Sequence, residues 1–583
     1  MDNLIELENS DLLGNVTYVD TAQVIIEIDN PIIMGRISVG NLVAIETDKK
    51  HQILISLIEK VTRKYVDDFD GDEDDEIEIL ASSTDYVKVN IIGTYYTAFG
   101  EKNNIFKRGV DVFPQIENKS YCLVGKNLQN FMNLLSNSIN SEKKLDIGKF
   151  MMDGNARAIL DGNKFFQKHA AVLGSTGSGK SWCVANILEK ASELKYANIL
   201  VFDMHGEYKS LTYGDTKIAD YYKVAGPGDL ENPDSGILFL PYWLLNREEL
   251  LSMILDRSDS NAPNQASRFT LHIRDLKEST LINEGKKDVT KTFTVDSPIP
   301  FEINSLISKL VTDDRTKGVG ANGRTVKGEW EGKLTRFISR LEAKVSDKAY
   351  GFMFQPTKET LNYEWLSKML CNLIGSIPGK KGIKIIDFSE VPSDILPIVT
   401  GTLARLLYDI QFWMVADERT PFTLICDEAH LYLPTKDEAD STQKQALYNF
   451  ERIAKEGRKY GVSLIPVSQR PSDISKTILS QCNNFVVLRL TNDRDKFVIK
   501  NLLPDTLKST IDLLPLLDVG EALVVGDAIL LPSRILLDKP NVGHRPVSTT
   551  RKFWDDWDTI FQNTQNITEA VESVRKQSRS KSK

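Results

Sequence analysis

The chain has 583 residues, too many for one hydrophobic core, and its 41% apolar and 26% charged composition suits a globular protein of about two to four domains. A net charge of −9 excludes a uniformly basic nucleic-acid coat, although a ring can carry Lys and Arg inside an acidic outer surface. No apolar run approaches the roughly 18 residues of a membrane span, and MDNLIELENS lacks the basic-then-apolar order of a signal peptide, so no membrane and a cytoplasmic location are expected.

Residues 1–145 read as short strands parted by Gly, Asn and Asp turns, at 16–19, 24–28, 42–45, 54–61, 77–81 and 87–93, the pattern of a small barrel. Between two of them runs an acidic stretch from Asp67 to Glu76. It fails as a calcium loop: counting from Asp68, Glu73 stands where glycine is needed and Ile79 where the bidentate acid belongs. A solvated hairpin loop is expected there.

From 146 to 538 the pattern becomes α/β. Strands at 169–173, 198–203, 384–388, 422–427, 462–468 and 485–490 alternate with helical runs, which predicts a parallel sheet with right-handed crossovers. The span from Lys180 to Asp427, 427 − 180 = 247 residues, is far more than a few βα units require. Amphipathic runs at 247–255, 267–277, 301–310 and 333–344 predict a helical insertion over about 243–372. Segments 521–526 and 528–537 read as a terminal hairpin. Residues 539–583 read as a linker with Pro540 and Pro546, a helix near 552–562 and a basic end, Arg575 to Lys583, that either binds phosphates or is simply solvated. The cysteines Cys122, Cys183, Cys371, Cys426 and Cys482 have no C-x-x-C spacing and are expected to be small buried residues in a reducing compartment. The six histidines form no zinc pattern.

Within the α/β region, Gly174-Ser175-Thr176-Gly177-Ser178-Gly179-Lys180-Ser181 matches G-x-x-x-x-G-K-[ST] between an apolar run and a helix-compatible run. The glycines let backbone N–H groups turn toward a triphosphate at a helix N-terminus. Lys180 would reach the β- and γ-phosphates, and Ser181 would hold Mg²⁺. The chain is therefore expected to bind ATP. Thr423-Leu424-Ile425-Cys426-Asp427-Glu428 is an apolar strand ending in two acids that face different ways, with Asp427 suited to the Mg²⁺ shell and Glu428 to polarising water.

Other residues carry open alternatives. Asp203 and Glu207, in D-M-H-G-E-Y after the second core strand, either project into the ligand crevice or end a strand. Arg452 and Arg458 either reach a neighbour's γ-phosphate or offset a helix C-terminus. Gln469 either senses the γ-phosphate or is a surface amide. Arg315, Lys317, Arg324 and Lys327 lie in a glycine-rich, acid-free segment, which is either a DNA-backbone contact or a solvated connection. That segment has no aromatic residue, so stacking on single strands is not expected.

In order behind GSTGSGKS, the stretches FDMHGEY, LICDEAHLYLP, ERIAKEGRKYGVSLIPVSQRPSDIS and LSQCNNFVVLRLTN resemble the HerA branch of the HerA–FtsK ATPases. The resemblance implies an α/β RecA-like P-loop ATPase core with an N-terminal small β-barrel and a helical insertion. It also implies a homohexameric ring that moves duplex DNA through its central channel with ATP and Mg²⁺. Carried over by motif, Lys180 and Ser181 bind phosphate and Mg²⁺, Asp427 and Glu428 form the acidic pair, and Asp203 and Glu207 belong to the HGEY motif. Gln469 becomes the sensor and Arg458 the trans-acting finger, with Arg452 as competitor. HerA relatives work with a separate nuclease such as NurA, or in antiphage defence with a sirtuin-like NADase or nuclease effector. The acidic stretch from Asp67 to Glu76 is outside the shared pattern.

Overall fold

The computed structural model describes residues 4–21, 23–29, 31–66, 82–194, 197–319, 325–375, 377–547, 553–557 and 564–577. The chain forms two compact units: Met1–Lys195 with Gln469–Ser472 and Asn483–Lys539, and Tyr196–Ser468 with Asp473–Cys482 and Pro540–Lys583.

The first unit begins with the expected barrel. Six antiparallel strands, Leu12–Val19, Gln23–Ile28, Leu42–Glu46, Gln52–Val66, Ser82–Phe99 and Lys119–Cys122, close on themselves where Gln23–Ile28 pairs with Ser82–Phe99. Alternation drives the closure. Val24, Ile26, Val87 and Val89 point inward with Leu13, Val16, Val43, Ile45, Leu54 and Ile58, while Glu27 and Lys88 stay outside that core. The acidic stretch and the strand expected at 77–81 lie outside the described residues.

The rest of this unit adds an antiparallel part to the expected parallel pairing. Ala170–Leu173 pairs in parallel with Asn484–Leu488, but the ladder then runs antiparallel through Glu521–Gly526, Ser533–Leu537, Lys144–Phe150 and Arg157–Asp161. Glu521–Gly526 and Ser533–Leu537 are joined by a short connection with no crossover helix, which allows only antiparallel pairing. The hairpin expected at the end of the domain is thus an inner part of its sheet.

The second unit holds a parallel sheet in the order Ile237–Leu238, Ala219–Val224, Ile383–Asp387, Ile199–Asp203, Phe422–Cys426 and Val462–Ser468. The last four strands are buried along their whole length, which explains their mainly apolar sequences. Between Ile237–Leu238 and Ile383–Asp387 the chain forms the expected helices, among them Arg247–Ile254, Ala262–Asn283, Ile303–Arg315 and Thr335–Ser346. Leu306, Leu310, Phe337 and Leu341 are buried on their facing sides, and Phe269 meets Phe337 edge-on with ring centres 5.3 Å apart. No helix among the described residues is long and apolar enough to cross a membrane. Cys371 departs from the expected burial: the helix Trp365–Ile374 buries Met369, Leu370, Leu373 and Ile374, which turns Cys371 to solvent.

Candidate functional site

The glycine-rich sequence from Gly174 to Ser181, expected to bind phosphate, turns through positive φ at Gly177 and Gly179. It leaves the buried strand Ala170–Leu173 and enters the helix Lys180–Ser192, whose N-cap, Gly179, has φ of 102° and supplies no side-chain cap. A helix N-terminus of this kind favours an anion through its dipole. Gly174 is required by space, because a Cβ there would stand 2.7 Å from Ser178 Oγ and 2.8 Å from Leu488 Cβ.

Backbone bonds brace the loop at both ends. Ser175 N donates to the Arg489 carbonyl (2.8 Å), and Gly520 N donates to the Ser178 carbonyl (3.2 Å). Lys180 is buried, with Nζ 3.4 Å from the Ser175 carbonyl. The Ser178 hydroxyl is buried and has no hydrogen-bond partner among the described residues. Gln469 belongs to the same unit, and its side-chain carbonyl accepts a short hydrogen bond from the Thr176 hydroxyl. The sensor assigned by resemblance thus touches the phosphate-binding loop itself.

In the second unit, Asp203 is buried at the end of its strand and turns the following residues around its carboxylate. Oδ1 accepts from the N–H groups of His205 (3.2 Å), Gly206 (2.8 Å) and Glu207 (3.1 Å), and Oδ2 from that of Tyr208 (3.0 Å). Burial nevertheless pushes its pKa up to about 6. These four bonds make Asp203 the organiser of the H-G-E-Y turn, a role that residue type alone did not reveal.

Asp427 is also buried. Its pKa is raised well above the ordinary carboxylate range by burial first, then by the neighbouring charges of Asp203, Glu428 and Glu207. A buried carboxylate under that much like charge has the chemistry of a hard-cation ligand. Glu428 follows in the left-handed region, at φ 43° and ψ 47°, a conformation in which a non-glycine side chain is strained.

The two candidate arginines differ. Arg452, on the helix Ser441–Glu456, lies over the rings of Tyr408 (4.7 Å) and Phe412 (5.6 Å), with Asp409 at 3.5 Å and Glu456 at 3.9 Å. Arg458, on the turn Gly457–Tyr460, is exposed and forms no ion pair among the described residues. Tyr460 anchors that turn, packed against Tyr408 and Phe412 and covered by Arg419 at 4.9 Å.

The basic segment of the insertion is a hairpin, with Gly318–Val319 paired to Thr325–Val326. Arg315, Lys317 and Lys327 flank it, all exposed. Arg324 lies outside the described residues.

Residues 145–407 match the family model described as the helicase HerA central domain. The chain is 27% identical over 427 residues to the probable helicase MJ1565 of Methanocaldococcus jannaschii, covering 73% of this chain and 72% of that one. It is 28% identical over 422 residues to the DNA double-strand break repair helicase HerA of Pyrococcus furiosus, covering 67% and 69%. Among solved structures, VirB4 of Thermoanaerobacter pseudethanolicus aligns with a TM-score of 0.45 at 17% identity, over 70% of this chain and 99% of that one. Residues 145–407 are therefore a HerA-type central domain, and the chain is a distant homologue of the archaeal HerA helicases.

Proposed function

We propose that the protein is an ATP-hydrolysing, hexameric duplex-DNA translocase that acts in the cytoplasm with a separate nuclease or effector subunit. The observation that carries this reading is the glycine-rich loop that leads into the helix Lys180–Ser192, with its hydrogen bond from Thr176 to Gln469. Homology to proteins named as HerA helicases supports the DNA-motor part.

In this reading the N–H groups of Gly174 to Ser181 and the Lys180 ammonium hold the triphosphate. Ser181 and Asp427 supply the hard oxygen ligands that fit Mg²⁺, which when bound would neutralise phosphate charge. Glu428 takes a proton from the attacking water as it bonds to the γ-phosphorus, and the bond from that phosphorus to the β–γ bridging oxygen breaks. Asp203 keeps Glu207 in place through the turn it organises. Arg458, exposed and without an ion pair among the described residues, is available to a neighbouring copy, whereas Arg452 is held within its own unit. Arg315, Lys317, Arg324 and Lys327 hold DNA phosphates without reading bases.

A second reading, in which an ATP-regulated ring mainly assembles and activates a sirtuin-like NADase or a nuclease, is favoured by the C-terminal helices. There Phe553, Trp554 and Trp557, and further on Ile567, Val571 and Val574, are all exposed. Phosphate release measured with and without duplex DNA separates the two. Stimulation by duplex supports the translocase. Turnover indifferent to DNA but changed by a co-expressed effector supports the scaffold.

A further inference from the structure

The sequence Cys426-Asp427-Glu428-Ala429-His430 sets a histidine two residues beyond the strained glutamate. The chain there makes a single 3-10 turn, Ala429–Leu431, closed by Leu431 N donating to the Glu428 carbonyl at 2.9 Å. The turn is firmly seated. Ala429, Tyr432 and Leu433 are buried, and the Tyr432 hydroxyl donates to the Asp427 carbonyl at 3.1 Å. A residue on this turn therefore has a fixed position from which to hold another.

His430 uses that position toward two oxygens. Its Nδ1 lies 3.2 Å from Glu428 Oε2 and 3.4 Å from Ser468 Oγ. Ser468 is buried and ends the strand Val462–Ser468, one residue before Gln469. Glu428 Oε2 is itself buried and has no aligned hydrogen bond among the described residues. Leaving a buried carboxylate oxygen in that condition costs at least about 1–3 kcal/mol. A small rotation of the imidazole, with its proton on Nδ1, removes the cost.

We propose that His430 is a positioning residue: through one Nδ1–H, donated to Glu428 Oε2 and shared with Ser468 Oγ as a second acceptor, it holds the Glu428 carboxylate in one rotamer beside the end of the neighbouring strand. The proposal rests on the reading of Glu428 as the group that polarises water. A free glutamate side chain loses about 1.5–2 kcal/mol of rotamer freedom when it is fixed, and a neighbour that fixes it beforehand removes that loss from the reaction step. The strained backbone sets where the side chain leaves the chain, and the imidazole sets where it ends.

The nitrogen used makes the test specific. Asparagine can put an amide nitrogen near the place of Nδ1, whereas glutamine reaches the place of Nε2. ATP turnover, ATP KM and melting temperature are measured for wild type, Glu428→Gln, His430→Ala, His430→Asn and His430→Gln, and for His430→Ala combined with Glu428→Gln. Expected is a loss in kcat of about 10- to 100-fold for His430→Ala and His430→Gln, the range seen when outer partners of a catalytic group are removed. KM and melting should change little, His430→Asn should recover most of the rate, and the double variant should be no slower than Glu428→Gln.

Unchanged kcat in His430→Ala, or an asparagine variant no better than glutamine, overturns the proposal. If His430→Ala does not fold, the asparagine–glutamine comparison decides alone. A Glu428→Gln variant as fast as wild type sinks the reading of Glu428 itself. An inactive Glu428→Gln beside an unaffected His430→Ala sinks only the role given to His430.

Discussion

The guanidinium of Arg452 lies 4.7 Å from the centre of the Tyr408 ring and has the Asp409 carboxylate at 3.5 Å, so its charge is already engaged on its own unit. Arg458, six residues on, has no such partner among the described residues. Arg452→Ala should lower unfolding free energy by about 1–2 kcal/mol, the size of a partly desolvated cation–π contact with its ion pair. Arg458→Ala should leave melting unchanged and lower ATP turnover by about a thousandfold if it acts as an arginine finger. Mixing Arg458→Ala with Glu428→Gln subunits should restore part of the rate. Absence of rescue in such mixtures would remove the trans assignment.

The phosphate-binding loop predicts a graded pair of effects. Lys180→Ala should abolish binding of a fluorescent ATP analogue, because the ammonium and its buried setting are removed together. Thr176→Val keeps the side-chain volume and removes only the donor to Gln469. Turnover should then fall by no more than about tenfold, the equivalent of one hydrogen bond. A Thr176→Val variant as inactive as Lys180→Ala would mean that the threonine meets nucleotide directly.

For the basic hairpin, the combined changes Arg315→Gln, Lys317→Gln, Arg324→Gln and Lys327→Gln should weaken duplex binding equally across unrelated sequences. The slope of log affinity against log salt should flatten by about 0.9 for each DNA phosphate that is no longer neutralised. Fluorescence anisotropy at several salt concentrations measures this. Weaker affinity for one sequence alone would contradict backbone binding.

Lys277 predicts a pH effect on stability. Its ammonium is buried in the helical insertion, donating to the carbonyls of Val295 (2.7 Å) and Ser297 (2.6 Å), and burial pushes its pKa from 10.5 to about 7 despite Asp296, with Arg405 adding to the depression. Between pH 7 and 10.5 the unfolded chain holds a proton that the folded chain lacks, so this residue's contribution to stability rises with pH across that window. Below pH 7 both states are protonated and its cost is greatest. The stability of Lys277→Met relative to wild type should therefore be greater near pH 6 than near pH 10, by up to a few kcal/mol, whatever the cost of leaving the Val295 and Ser297 carbonyls without a donor. Denaturant melts of both proteins at the two pH values test the sign.

Much of the molecule is legible in the sequence because its central strands are mainly apolar, with at least three Val, Ile, Leu, Phe or Cys residues in each. The strand Val462–Ser468 has the bounds its sequence predicts, and Phe422–Cys426 and Ile383–Asp387 differ by a residue or so. Ala219–Val224 is not legible because A-D-Y-Y-K-V carries charges, and these are neutralised only by the fold. Lys217 meets Asp220 at 2.8 Å, and Lys223 meets Asp229 and Glu390, each at 2.8 Å. Lys144–Phe150 and Arg157–Asp161 are hidden for the same reason, since Arg157 pairs across the strands with Asp146 at 2.6 Å and also with Asp538.

At the candidate site, the glycine-rich loop from Gly174 to Ser181 is readable because its pattern lies within eight consecutive positions. The bond between Thr176 and Gln469 and the contact of His430 with Ser468 join residues far apart in sequence, and no local pattern encodes them. Asp203 stands out as a polar residue at a strand end, but its four backbone donors need the folded turn to be seen.

The left-handed backbone at Glu428 sets a trap for protein engineering. Asparagine and glycine accept φ near 43° more readily than glutamate does, so a selection for heat resistance alone has a reason to favour Glu428→Asn or Glu428→Gly. On the reading given to this carboxylate, such survivors would be sturdier proteins that no longer hydrolyse ATP, and a thermostability campaign should exclude position 428 from its library.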